Sequence, residues 1–211
     1  MTVDNPNVLL FDFGGVIINL DLERTKNAFA HHGIKNVESW FKASAQHETL
    51  NLFETGKISA SQFIDRVLTT ANVTMTEALF TANWNALLLD IPLERITLLQ
   101  KLKSYYKLYM LSNINSIHAK KCNQILDATS GIEDIKTLFD KVYFSYEIGF
   151  RKPDSHCFQY VLDDLSINPE NVLFFDDNTE NIATAKAMGI QSFLVQNDIE
   201  NLVKEVTGLQ L

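Results

Sequence analysis

Cysteine is nearly absent: the chain of 211 residues has two, Cys122 and Cys157. They are too few for a disulfide framework and are not spaced as a CxxC redox or zinc pair, so both read as buried thiols. A block of positive charge is missing as well. The 18 Lys and Arg are dispersed and outnumbered by 26 Asp and Glu, for a formal charge of −8. A reader of phosphate backbones needs a basic stripe, so no nucleic acid partner is expected. The first residues, MTVDNPNVLLFDFGG, carry no basic segment, and Asp12 and Asn19 break the apolar runs there. Neither a secretory signal nor a membrane span is expected, and the cytoplasm is the expected compartment. Internal repeats and low-complexity segments are also lacking.

What is there is a core. Apolar residues make up 46%, aromatic residues 10% and charged residues 21% of the chain, the balance of a soluble globular protein. Domains usually run about 100 to 200 residues, which allows one large domain or one with a smaller insert. Five short apolar runs stand out: Val8 to Phe11, Leu108 to Leu111, Val142 to Phe144, Val172 to Phe175 and Phe193 to Val195. Continuous apolar runs of this length suit strands buried on both faces.

Helical spacing lies between them. Ile96, Leu99 and Leu102 come after Pro92, which suits a first helical turn. Phe158, Val161, Leu162 and Leu165 recur at i, i+3, i+4 and i+7. Ile182, Ala185 and Met188 run up to Gly189, a helix-ending residue. Strands alternating with helices predict an α/β fold, a doubly wound parallel sheet. From about Asp21 to Asp90 the alternation stops. Asp21 can cap a helix ending near Gly33, Ser59 and Gln62 form a capping box, and Thr76 opens a third apolar-periodic run. This predicts a core of residues 1–17 and 91–211 and a helical insert over 18–90.

Open parallel sheets bind ligands beyond the carboxyl ends of their strands. The first run ends in Asp12-Phe13-Gly14-Gly15, the second in Ser112-Asn113, and the fourth in Asp176-Asp177-Asn178. The third is followed by Gly149-Phe150-Arg151-Lys152-Pro153. Taken singly, each has an ordinary reading: Asp12 as a turn or cap, Ser112 and Asn113 as a strand-end turn, Lys152 as an exposed lysine, Asp176 and Asp177 as a solvated turn. Together and in order they would converge on one edge of the sheet.

The ordered set resembles the haloacid dehalogenase-like hydrolase superfamily, whose four motifs are a nucleophilic Asp, a Ser or Thr, a Lys and an acidic pair, each after a core strand. The likeness spans nearly the whole chain. LSNIN, GFRKPD, FFDDNTENI and the insert's FETGKIS are similar to a capped phosphatase subgroup, with Gly two residues after the nucleophile, that includes bacterial alpha-glucose-1-phosphate phosphatase. The resemblance implies a phosphatase for a small-molecule phosphate ester of the sugar phosphate class, working through an aspartyl-phosphate on Asp12. It implies Mg2+ as cofactor, with Asp177 a direct ligand, Asp176 acting nearby through water, and the Gly14 carbonyl and Asp12 completing the set. Ser112 and the amides of Asn113 and the residues after it would hold phosphate. Lys152 would neutralise charge during transfer, and Arg151 reads as ordinary surface. Glu54, Gly56 and Lys57 fall in a loop between two helices of the insert, where capped members select the leaving group.

The five histidines offer no catalytic triad: His31, His32 and His47 fall in the insert, His118 and His156 on core helices. Phe63 and Trp84 read as packing between helices of the insert. One departure matters. Most phosphatases of the superfamily place a second Asp two positions after the nucleophile as acid and base, and here that position is Gly14. Two alternatives stay open: a metal-free 2-haloacid dehalogenase, against which the Asp176-Asp177 pair argues, and a non-enzymatic binding or regulatory protein. A monomer or weak homodimer is expected.

Overall fold

Apart from Val195, the apolar runs lie in strands of the computed structural model, which describes residues 7–35, 37, 48–196 and 199–209. They are β1 (Val8–Phe11), β2 (Lys107–Ser112), β3 (Lys141–Phe144), β4 (Val172–Asp176) and β5 (Gln191–Leu194). All pair parallel in the order β3-β2-β1-β4-β5. β1 is central and buried along its whole length. Period-two alternation divides the sheet into two faces. Leu9, Phe11, Met110, Leu173 and Phe175 pack on one; Val8, Leu10, Leu111 and Phe174 pack on the other. The last strand begins earlier than the run Phe193 to Val195 predicts. Its ladder starts at Gln191, and Val195 adds only an amide bond to the Asp176 carbonyl, 2.9 Å.

Helices cover both faces. α5 (Leu93–Leu102), α6 (Ser116–Ser130) and α10 (Ile199–Thr207) supply Leu99, Leu126 and Val203 to the first. α8 (Ser155–Leu165) and α9 (Thr179–Ala187) supply Phe158, Val161 and Ile182 to the second. Pro92 caps α5 from the position before its first residue. A short α7 (Ser145–Ile148) comes directly after β3. Among the described residues no helix is long and apolar enough to cross a membrane.

Between β1 and β2 run α1 (Leu22–Ala30), α2 (Glu48–Glu54), α3 (Ala60–Ala71) and α4 (Glu77–Asn85). Their starts obey sequence chemistry. Asp21 accepts from the Glu23 amide, Thr76 from Leu79, and Ser59 and Gln62 form a reciprocal capping box, each cap contributing about 1 kcal/mol. Phe29, Phe53, Phe63, Phe80 and Trp84 build a cluster of their own, with Phe53 stacked on Phe63 at 4.5 Å. The chain enters and leaves this helical segment through one narrow ribbon. Leu20 bridges Leu88 antiparallel, and the Asn19 and Asp21 amides donate to the carbonyls of Asp90 and Leu87 at 2.9 and 2.8 Å.

His118 joins the segment to the sheet. Its ring stacks on Trp84 at 5.0 Å. Nε2 lies 3.1 Å from the Trp84 carbonyl and Nδ1 lies 3.1 Å from Asn115 Nδ2. The neutral tautomer with its proton on Nε2 satisfies both partners, whereas a protonated ring would set two donors against each other at Nδ1. His31 and His32 lie exposed in the turn after α1, His156 opens α8, and His47 lies outside the described residues.

Burial depresses the His118 pKa to about 4. The unfolded chain takes up this proton near pH 6.5 and the folded protein does not, so stability falls as pH drops from about 6.5 to 4. The expected loss is about 3 kcal/mol. Urea unfolding at pH 7 and pH 4.5 should show a smaller pH-dependent loss for His118→Gln than for the natural protein; equal losses refute the burial of a neutral ring.

Candidate active site

The carboxyl ends of β1, β2 and β4 lie side by side because their ladders run in register: Phe11 pairs with both Met110 and Phe175. Asp12 therefore leaves the sheet next to Asp176, and its amide donates to the Phe175 carbonyl at 2.8 Å. Two carboxylates emerging together repel unless a cation lies between them. Lys152 supplies it. Its Nζ lies 2.8 Å from Asp12 Oδ1 and 2.6 Å from Asp176 Oδ2, with 1% of its side chain exposed. The exposed lysine suggested by the residue alone is thus a buried one.

The lysine is held from behind. Asn113, at the end of β2, donates through Nδ2 to the Lys152 carbonyl and accepts at Oδ1 from the Lys152 amide, both at 2.8 Å. The Asn113 side chain thus fastens the Lys152 loop, leaving only its amide for an anion. The next amide is also taken: Ile114 donates to Ser145 Oγ at 3.0 Å, so the expected run of free amides after Asn113 is shortened. Ser112 is buried at the strand end.

The acidic pair divides. Asp176 is fully buried and accepts from the Asn178 amide at 2.8 Å and from Asn181 Nδ2 at 3.0 Å, besides Lys152. Asn181 was readable in the sequence only as part of the FFDDNTENI segment; its position one turn into α9 turns its amide back to the strand end. Asp177 keeps an exposed edge and lies over Gly15, where a Cβ would sit 2.1 Å from Asp177 Oδ2. Gly15, at φ +73°, is therefore required for both backbone and space.

Carboxylate oxygens of Asp12, Asp176 and Asp177 come within 4.8 Å of one another. Three carboxylates face one ammonium, and the imbalance shows in their protonation. Burial raises the Asp12 pKa to about 7; Lys152 opposes the rise and Asp176 adds to it. Burial and Asp176 raise Asp177. Burial works against the charge on Lys152, but Asp12 and Asp176 outweigh it and hold the ammonium above its ordinary range. An oxygen-only, net-negative set at the end of a sheet suits a hard divalent cation.

Beside the cluster lies a cavity of about 110 Å³ whose walls include Gly14, Leu20, Leu88, Ser112, His118 and Glu54. Glu54 is the last residue of α2 rather than part of a loop. Its Oε2 pairs with Arg151 Nε at 3.1 Å, with 15% of the Arg151 side chain exposed. Arg151 is therefore not ordinary surface; the sequence holds no sign of a partner 97 positions away. Lys57 is exposed and does not line this cavity. A larger cleft of about 610 Å³ between α5 and α10 shares no residue with the cluster. Cys122 and Cys157 are buried, their thiols pushed up to about 12 by burial.

The sequence profile of the haloacid dehalogenase-like hydrolases matches residues 6–189. The chain belongs to that family. It is 28% identical over 192 residues to the D-ribitol-5-phosphate phosphatase of Bacteroides thetaiotaomicron, spanning 90% of this chain and 91% of that one. A crystal structure of a HAD family enzyme from the same organism, in complex with magnesium and inorganic phosphate, is similar at a TM-score of 0.80 and 32% identity, covering 92% of this chain and 98% of that one. The L-2-haloacid dehalogenase of Xanthobacter autotrophicus shares the fold alone, at a TM-score of 0.58 and 21% identity over 96% of this chain and 82% of that one.

Removing the central cation leaves buried carboxylates uncompensated, a loss of about 3–5 kcal/mol. Lys152→Met should destabilise the metal-free protein by that order in urea unfolding at pH 8. The loss should be smaller at pH 6, where Asp12 takes up a proton. A loss below about 1 kcal/mol at both pH values contradicts the bridge.

Proposed function

We propose that this protein is a magnesium-dependent phosphomonoester hydrolase for a small phosphorylated metabolite of the sugar phosphate class, working through an aspartyl-phosphate on Asp12. The observation that carries the reading is the placement of Asp12: one carboxylate oxygen on the Lys152 ammonium, the group within 4.8 Å of two further carboxylates. The phosphatase and the magnesium and phosphate complex among its relatives support it.

The work is divided among several residues. Lys152 holds Asp12 Oδ1, which leaves Oδ2 as the nucleophile. In the first displacement an Oδ2–phosphorus bond forms and the ester P–O bond breaks, the leaving oxygen taking a proton from water. In the second, water adds to phosphorus, its proton neutralising the hydroxide left by the first step, the Asp12–phosphorus bond breaks and inorganic phosphate departs. Lys152 and Ser112 stabilise the phosphoryl oxygens, and the Asn113 amide adds a donor. Asp12, Asp177 and the Gly14 carbonyl would hold the magnesium, with Asp176 behind them; the ion supplies charge neutralisation between an anionic nucleophile and an anionic ester.

Residues 18–90 act as a cap that covers the leaving group, supported by their separate core and the narrow ribbon at residues 19–21 and 87–90. Glu54 has geometric support as a residue facing that group, and Lys57 does not. A dehalogenase has no use for the acidic pair, and a binding protein has none for a buried Lys-carboxylate bridge beside an uncommitted Asp177.

Phosphate release from a panel of esters, with and without chelator, tests the proposal. Activity should vanish with chelator, return with magnesium, and be abolished in Asp12→Asn. Substantial turnover by Asp12→Asn, corrected for contaminants, sinks the aspartyl-phosphate.

Gly14 gives a second test. Without a carboxylic acid there, the leaving group departs close to an alkoxide, so rates should fall steeply with leaving-group pKa. Positioned acid-base catalysis is worth about 10²- to 10⁴-fold. Gly14 lacks the positive φ of Gly15, and a Cβ there meets only the Leu20 Cδ1 at 2.9 Å, the free end of a half-exposed side chain. Gly14→Asp is therefore sterically tolerable and should flatten a plot of log rate against leaving-group pKa. An already shallow slope in the natural protein would show that another residue donates the proton.

A further inference from the structure

We propose that Glu54 and Arg151 form a latch that docks the helical segment onto the loop carrying Lys152, making Arg151 a positioning residue for the active-site lysine. Two independent contacts define the docking. Glu54 Oε2 meets Arg151 Nε at 3.1 Å, with 8% and 15% of the two side chains exposed. Two residues further on, Gly56 at φ +68° is packed so closely on α7 that a Cβ would lie 2.2 Å from the Tyr146 carbonyl oxygen. That oxygen is backbone and has no rotamer by which to retreat. The turn between α2 and α3 therefore lies directly on the stretch that runs from α7 into Arg151.

The residue after Arg151 has little freedom. Lys152 has its amide and carbonyl fastened by Asn113 and its Nζ shared between Asp12 and Asp176. A shift of Arg151 is transmitted through one peptide bond to a side chain that bridges the nucleophile. The pair is mostly shielded from water, so removing one partner leaves a shielded charge uncompensated. Because Glu54 also lines the cavity beside Gly14 and Ser112, the latch closes where the leaving group would lie. Closure of the helical segment and alignment of Lys152 are then one event.

The alignment half of this inference rests on the phosphatase reading; the docking half does not. The experiment uses the full chain with Glu54→Gln, Arg151→Gln, the double variant, Arg151→Lys, and the exchanged pair Glu54→Arg with Arg151→Glu. Hydrogen exchange of amides in 52–58 and 145–152 reads the docking. It should rise about tenfold in each single Gln variant, the scale of coupling between contacting residues, and recover in the exchanged pair. Unchanged exchange in both Gln variants overturns the latch. Turnover of a small aryl phosphate reads the alignment. kcat should fall about tenfold in each single Gln variant with KM changed less than about twofold, the double variant should be no worse than the poorer single one, and Arg151→Lys should recover part of the loss. An aryl phosphate kcat that stays at the natural value in Arg151→Gln overturns the positioning role and reduces the pair to a leaving-group contact. If the natural protein releases phosphate from no ester, the phosphatase reading fails while the exchange data still decide the docking.

Discussion

An ammonium group with 1% of its side chain exposed must be met by anions, and Lys152 is met by two carboxylates from neighbouring strands. The rest of the site depends on that bridge. Parallel strands bring Asp12 and Asp176 to the same edge in register, and without a cation between them the edge would be a repulsive pair beside an apolar core. The lysine makes the arrangement tolerable without cancelling it. Asp12 is left titrating near neutrality and Asp177 above its ordinary range, both chiefly through burial. Such a site retains a negative balance that favours a further cation and keeps a carboxylate oxygen in contact with whatever anion that cation brings in.

Elements whose signal is local were legible in the sequence. Val8 to Phe11 reads as a doubly buried strand because nothing polar interrupts it, and it is one. Ser59 and Gln62 carry the start of α3 in four residues, and both bonds of the box form. The expected bounds of β5 slipped because an apolar run marks burial while strand ends are set by ladder partners, here Gln191 on Leu173. Partners remote in sequence were not legible. Arg151 looks like any surface arginine until Glu54 is brought beside it, and nothing near Asn113 in the sequence signals that its side chain fastens both the amide and the carbonyl of Lys152. Lys152 itself became readable only through the resemblance, since an isolated lysine before a proline belongs on the surface.

The adjacent glycines show how unlike two identical residues can be. Gly15 is fixed by a positive φ and by the Asp177 carboxylate lying where its Cβ would be. Gly14 has neither constraint; only the flexible end of Leu20 stands in the way. The backbone therefore explains one glycine and leaves the other to chemistry. A side chain at Gly14 would enter the wall of the small cavity beside Ser112, so its absence leaves room there and removes a group able to carry a proton.

The same geometry sorts the acidic pair. Asp176, the last residue of β4, turns toward Lys152 and Asn181 and has its oxygens occupied by protein donors. Asp177 lies in the bend after the strand, across Gly15, with an exposed edge, its carboxylate still within 4.8 Å of that of Asp176. A carboxylate already bonded to an ammonium, a backbone amide and a side-chain amide has little lone-pair capacity left for another ligand, whereas its neighbour keeps most of its own. Adjacent and chemically identical, the two aspartates are separated by their hydrogen-bond partners into one that braces the lysine and one that keeps an exposed edge beside the Gly14–Gly15 loop.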